Sequence, residues 1–175
     1  MNTKMKYFIH SLLACLLLPL SARSQSEVSI LVGDSVCSIE PVTTQSEYKP
    51  GWKIVDIQTR GKSSRYLWGK HSRQFADDRQ PAFILRTGQG KVNDFAVIRL
   101  KKKKEMRQFP SHNLIECGHR PIDLDLMDIV PQQEGVYRVR FRTPQQPGEY
   151  VILNMKSAPV NDMGDVKVYP FTILQ

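Results

Sequence analysis

The feature that most constrains this chain is a strict alternation in its C-terminal part. Tyr137, Val139 and Phe141 are apolar, and Arg138, Arg140 and Arg142 lie between and after them. Successive side chains of a strand point to opposite faces, so this pattern predicts a half-buried β-strand and excludes an amphipathic helix. Ile122, Leu124 and Leu126 alternate with Asp123 and Asp125 in the same way. Strand character also marks Val28–Val32, Trp52–Ile57, Arg65–Gly69, Ala82–Leu85, Phe95–Leu100, Glu149–Asn154 and Val166–Leu174, the last interrupted by Pro170. Gly33-Asp34, Arg60–Ser64, Gly88-Gln89-Gly90 and Gln145-Gln146-Pro147-Gly148 read as turns between them. The polar segment from His71 to Pro81 reads as a surface loop or one helical turn. No stretch after the first 24 residues holds a helical period. Roughly eight to ten short strands separated by turn residues predict an all-β fold, a single antiparallel β-sandwich.

The N-terminus has a different character. Lys4 and Lys6 precede an apolar run from Tyr7 to Leu20, broken only by His10 and Ser11, and the small or polar Ser21-Ala22-Arg23-Ser24 follows. These are the three parts of a secretory signal peptide. The expected organisation is a cleaved leader at 1–24 and one domain at 25–175, secreted or periplasmic. Cleavage after Ala22 also fits. A second reading takes Leu12-Leu13-Ala14-Cys15 as a lipobox with the anchor on Cys15, but the apolar Leu16-Leu17-Leu18 that follows argues against it. No second apolar run reaches the roughly 20 residues that a spanning helix needs, so no transmembrane helix is expected in the mature chain.

Charge narrows the partners. The whole chain carries 25 basic and 17 acidic residues; Lys4, Lys6 and Arg23 lie in the leader, which holds no acid, so the mature part has a net charge of +5. A moderate excess of this kind suits a polyanion without implying nucleic acid, which an exported protein seldom meets. The mature part keeps Cys37 and Cys117. In an oxidising compartment an isolated pair is expected to form a disulfide, here tying the start of the domain to its middle.

Two short pieces carry a resemblance. Gly135-Val136-Tyr137 and Pro147-Gly148-Glu149-Tyr150 each place a Gly two residues before a Tyr that opens a strand. This resembles the corner tyrosine of immunoglobulin-like sandwiches, whose hydroxyl bonds back to nearby backbone. No cysteine follows either tyrosine at the immunoglobulin position. The C-terminal third, with Pro147–Tyr150 and Gly164–Phe171, is also similar to small secreted bacterial domains of unknown function. The resemblance implies an immunoglobulin-like β-sandwich and brings no catalytic motif with it.

Candidate chemistry is sparse. Lys101, Lys102, Lys103 and Lys104, with Arg99 and Arg107 beside them, form the densest charge feature. They suit an anionic polysaccharide, lipid headgroups or an acidic protein face, or else form a solvated hairpin turn or guard an edge strand against pairing. Arg138, Arg140 and Arg142 could grip carboxylates or sulfates from one sheet face, or pair with acids such as Asp123 and Asp125 on a neighbouring strand. Asp123 and Asp125 as a catalytic pair is a spacing that any alternating strand offers. Cys37, His112, Cys117 and His119 lack the paired spacing of metal ligands. Trp52, Tyr66 and Trp68 could stack on sugars or fill a core. No G-x-S-x-G, H-E-x-x-H or Gly-rich phosphate loop occurs. No catalytic residue, metal or cofactor is therefore expected. The reading is an exported, non-catalytic binding or structural module of the bacterial cell envelope, with an unknown envelope protein or an anionic polysaccharide as partner. The alternatives are an accessory subunit of a larger envelope assembly and, behind it, a small hydrolase.

Overall fold

The computed structural model describes residues 27–49, 53–54, 57–58, 62–110, 120–122, 125–157 and 165–174. The leader, Cys15, Trp52, His112, Cys117, His119 and Asp123 lie outside them. The described residues are all β apart from one 3-10 turn at Val92–Asp94. Among them no helix is long and apolar enough to cross a membrane.

Strands are numbered along the chain. The first sheet has the order β14 (Met127–Gln133), β15 (Val136–Phe141), β9 (Ala82–Arg86), β1 (Glu27–Val32), β2 (Ser35–Ser38). The second has β13 (Arg120–Pro121), β10 (Phe95–Arg99), β16 (Gly148–Asn154), β17 (Lys167–Ile173) and β3 (Val42–Thr43). The third has β11 (Lys101–Lys103), β12 (Met106–Gln108), β7 (Lys62–Trp68) and β4 (Gln45–Lys49). A short pair joins β5 (Lys53–Ile54) to β6 (Ile57–Gln58). Neighbouring strands run antiparallel, except that β8 (Phe75–Ala76) lies parallel to the end of β17.

The period-two pattern of β15 does what it predicts. Val139 and Phe141 are buried while Arg138 and Arg140 face out. The second sheet follows another rule. Its strands are continuously apolar, Phe95–Ile98 on β10 and Tyr150–Leu153 on β16, because both of its faces are covered. Phe95, Val97, Tyr150, Ile152, Phe171 and Ile173 share one core with Val28, Ile30, Phe83, Leu85 and Val139 of the first sheet. There Phe83 meets Phe141 at 6.2 Å and Phe171 at 4.9 Å, both edge to face. The alternate residues Ala96, Ile98, Val151, Leu153 and Val168 share a second core with Leu67 of β7 and with Phe109, which directly follows β12.

Pro170 sits inside β17 without breaking it. The β17 edge away from β16 is paired to β3 only at Lys167 and Val168, and to β8 only at Thr172 and Ile173. Thr172, of the same parity as Pro170, donates its N–H to Gln74 O on that edge. The ring nitrogen therefore faces the gap between two partners, where no ladder hydrogen bond is lost. The Pro170 carbonyl on the same edge accepts from Ser72 Oγ at 2.6 Å.

Several local expectations change. The Pro-containing polar stretch 40–51 reads as loop, yet Val42–Thr43 and Gln45–Lys49 are strands β3 and β4, and Gly148 of the expected turn at 145–148 already opens β16. Residues 62–64 belong to β7 rather than to a turn, because β4 pairs along their whole length. The segment 71–81 is no bland loop: Ser72 and Ala76 are buried against β17. Of the strand expected over 122–126, residues 123 and 124 lie outside the described residues, while Asp125 and Leu126 form a turn that leads into β14.

Candidate functional site

The four lysines do not form one patch. Lys101–Lys103 make up β11, the outer strand of the third sheet, and Lys104 stands in the turn that leads to β12 with φ 54°. Register divides the strand between two faces. Lys101 pairs with Gln108, which pairs with Tyr66, and Lys103 pairs with Met106, which pairs with Trp68. Directly paired residues share a face, so Lys101, Lys103, Tyr66 and Trp68 look out on the same side. Lys102 pairs with Arg107 and Arg107 with Leu67, on the side that covers the second core.

The outward face is basic and aromatic together. Trp68 is 57% exposed and meets Tyr66 edge to face at 5.6 Å. Its indole N–H donates to Gln45 Oε1 on β4, which fixes the plane of the ring. Trp52, grouped with these residues in the sequence, lies outside the described residues.

The inward side holds a buried ionic cluster. Glu149 and Arg107 are 3% and 4% exposed and face each other, with Nη1 and Oε2 3.5 Å apart. Arg107 also donates to the carbonyls of Trp68 and Gly69, each at 3.1 Å. Burial lowers the Arg107 pKa, and the Glu149 carboxylate offsets only part of that; a guanidinium stays charged in either case. Glu149 further accepts from the Ser72 N–H at 3.1 Å and the Thr172 hydroxyl at 3.0 Å, and meets His71 Nδ1 at 2.9 Å. His71 Nε2 lies 3.1 Å from Lys102 Nζ. Arg107, grouped in the sequence with the exposed basic run, is thus an internal counter-ion. Sequence reasoning passed over Glu149, His71, Ser72 and Thr172. The one signal was an acid heading the apolar strand Tyr150–Leu153, where a charge needs a partner.

Arg99 ends β10 and is tied down. It donates to Gln146 Oε1 and, at 3.0 Å, to Pro147 O, and its guanidinium lies 6.0 Å from the centre of the Tyr150 ring. Gly148 has φ 151°, and a Cβ there would come within 3.3 Å of Arg99 Nε. Glycine lets this strand start against the arginine. The Tyr150 hydroxyl donates to Gln146 O at 2.7 Å, four residues upstream. A hollow of about 780 Å³ opens beside this corner, lined by Val97, Arg99, Leu126, Phe141, Gln145 and Tyr150 among others.

The remaining expected residues lie apart from these. Arg140 pairs with Asp78 at 3.0 Å and Arg142 with Asp128 at 2.9 Å; Asp128 lies opposite Arg140 on β14. Arg138 is exposed on the same strand. The acids that meet Arg140 and Arg142 are thus Asp78 and Asp128; Asp125 is exposed in the turn before β14, and Asp123 lies outside the described residues. Cys37 is half-buried on β2 and packs against the first core; Cys117 lies outside the described residues. Among the described residues no group of three His, Cys, Asp or Glu side chains converges as metal ligands would.

The arrangement is that of an antiparallel β scaffold with one basic and aromatic face and a buried ionic cluster. No family model, curated protein or solved structure matches this chain.

Proposed function

We propose that the chain is an exported, non-catalytic binding module of the cell envelope, built as an immunoglobulin-like β-sandwich, and that it binds an anionic polysaccharide. Export rests on the leader pattern at 1–24. The sandwich reading is supported by the core that Val28, Phe83 and Val139 share with Val97, Ile152 and Phe171. The bond from the Tyr150 hydroxyl to Gln146 O supports the immunoglobulin-like corner.

One observation carries the ligand: strand register sets Lys101 and Lys103 on the same face as the exposed Trp68 and the half-buried Tyr66. A sugar ring packs its C–H face on an aromatic plane while its carboxylate or sulfate meets an ammonium. Strand residues two apart repeat at roughly 7 Å, a spacing that suits a chain of repeating charges. Protection of an edge strand accounts for the lysines but not for an oriented, exposed tryptophan beside them.

The test is retention on immobilised polygalacturonate against neutral dextran, with protein purified from cells that export the full chain. The parent is retained on polygalacturonate and released by salt. Trp68→Ala weakens retention about three- to tenfold. The double variant Lys101→Gln/Lys103→Gln flattens the salt dependence, because fewer screened contacts remain. Equal retention of parent and both variants, or equal retention on dextran, rejects the reading.

A further inference from the structure

A second hollow opens on the other side of the β11–β12 hairpin, away from the face bearing Trp68. It measures about 560 Å³ and is walled by Phe75, Leu100, Ile173 and Leu174, with His71 and Lys102 on its rim. That volume falls within the range of sites for small organic molecules.

Its apolar wall is unusual. Phe75 is 42% and Leu174 39% exposed, and both border this one concavity. Large exposed apolar side chains scattered singly mean little, but two lining one hollow form a surface that water wets poorly. The backbone holds them there. β8 adds to β17 in parallel, with Phe75 opposite Thr172 and Ala76 opposite Ile173, and the Leu174 N–H donates to Ala76 O at 3.0 Å.

The rim is cationic, and the ionic cluster explains why. Glu149 is matched by the buried Arg107 and saturated by Ser72, Thr172 and His71, so the pair adds no net charge. In a neutral His71 ring whose Nδ1–H donates to Glu149, Nε2 is an acceptor, and Lys102 Nζ is the donor that meets it. The carboxylate thus orients the imidazole and the imidazole orients the ammonium. Lys102 forms no ion pair among the described residues. Its remaining N–H donors are left for an anion, and Arg99 lines the same hollow.

The geometry points to a binding site for a small amphiphile, with an alkyl or aryl body against Phe75 and Leu174 and a single carboxylate on Lys102. The site is separate from the polysaccharide face and does not depend on it.

Titration calorimetry at neutral pH with decanoate, decanol and decyltrimethylammonium tests this on protein exported from the full chain. Decanoate binds; decanol binds at least about tenfold more weakly, and the cation does not bind. Lys102→Gln weakens decanoate about tenfold, the usual effect of losing a charge-assisted hydrogen bond, and leaves decanol unchanged. Phe75→Ser weakens decanoate and decanol alike, and Leu174→Ser does the same should the first variant unfold. Equal affinity for decanoate and decanol, or decanoate binding untouched in Lys102→Gln, overturns the inference. So does a parent that binds no decanoate while still held by polygalacturonate, and that result leaves the polysaccharide reading standing.

Discussion

Tyr150 combines two contacts that another aromatic residue would split. Its ring stacks on Phe171, with centroids 5.5 Å apart and planes 19° from parallel, while its hydroxyl donates to Gln146 O. Tyr150→Phe keeps the ring and removes the donor. The expected loss is about 1–2 kcal/mol, read as a lower urea midpoint with an unchanged slope. That Gly148 and Tyr150 head a strand was legible in the sequence. The residue between them was not legible in the same way. Glu149 stands in a short motif that reads as a turn and a strand start, yet its carboxylate serves an arginine on β12 and a histidine in the 71–81 segment. Nothing near Glu149 in the chain names those partners, because a buried charge is satisfied by whatever the fold brings to it.

At the scale of the element, the lysine run shows what a pleat does to a charge cluster. Four consecutive lysines read as one patch. In β11 they alternate, so Lys101 and Lys103 join the aromatic face while Lys102 turns toward His71. The hairpin turn is also strained at one place. Lys104 is the one non-glycine residue with positive φ among the described residues, a region that costs an L-residue about 1–2 kcal/mol. Glycine removes that cost but adds unfolded-chain entropy of about 0.5–1 kcal/mol. Lys104→Gly is therefore expected to stabilise the protein by about 0.5–1 kcal/mol. A thermal scan should show a rise of about 1–4 °C. An unchanged or lower midpoint would mean that the lysine stem makes a compensating contact.

The whole molecule is organised around a sheet buried on both sides. Ile152 belongs to the core shared with the first sheet, and its neighbour Leu153 to the core shared with β7 and Phe109. In a sheet with one wet face only one of two adjacent residues would matter. Here Ile152→Ala and Leu153→Ala are each expected to cost about 2–5 kcal/mol, measured separately by urea unfolding. A loss confined to Ile152→Ala would mean that the third sheet does not cover the second in solution. The runs Phe95–Ile98 and Tyr150–Leu153 are too apolar for a half-exposed strand, as a sheet covered on both faces requires.

Local sequence carried the β character of this protein and the places of β1, β7, β9, β10, β15, β16 and β17. Each depends on side-chain alternation or turn chemistry within a few residues, so each is written locally. Tertiary structure alone decided that Arg107 is internal, that Lys102 parts from its neighbours and that the 71–81 segment carries a strand on β17. It also decided that Tyr66 and Trp68 stand beside lysines on one face. These depend on which strand pairs with which and in what register. That choice is made by burial between segments far apart in the chain, and a one-residue shift in it would turn every side chain to the other face.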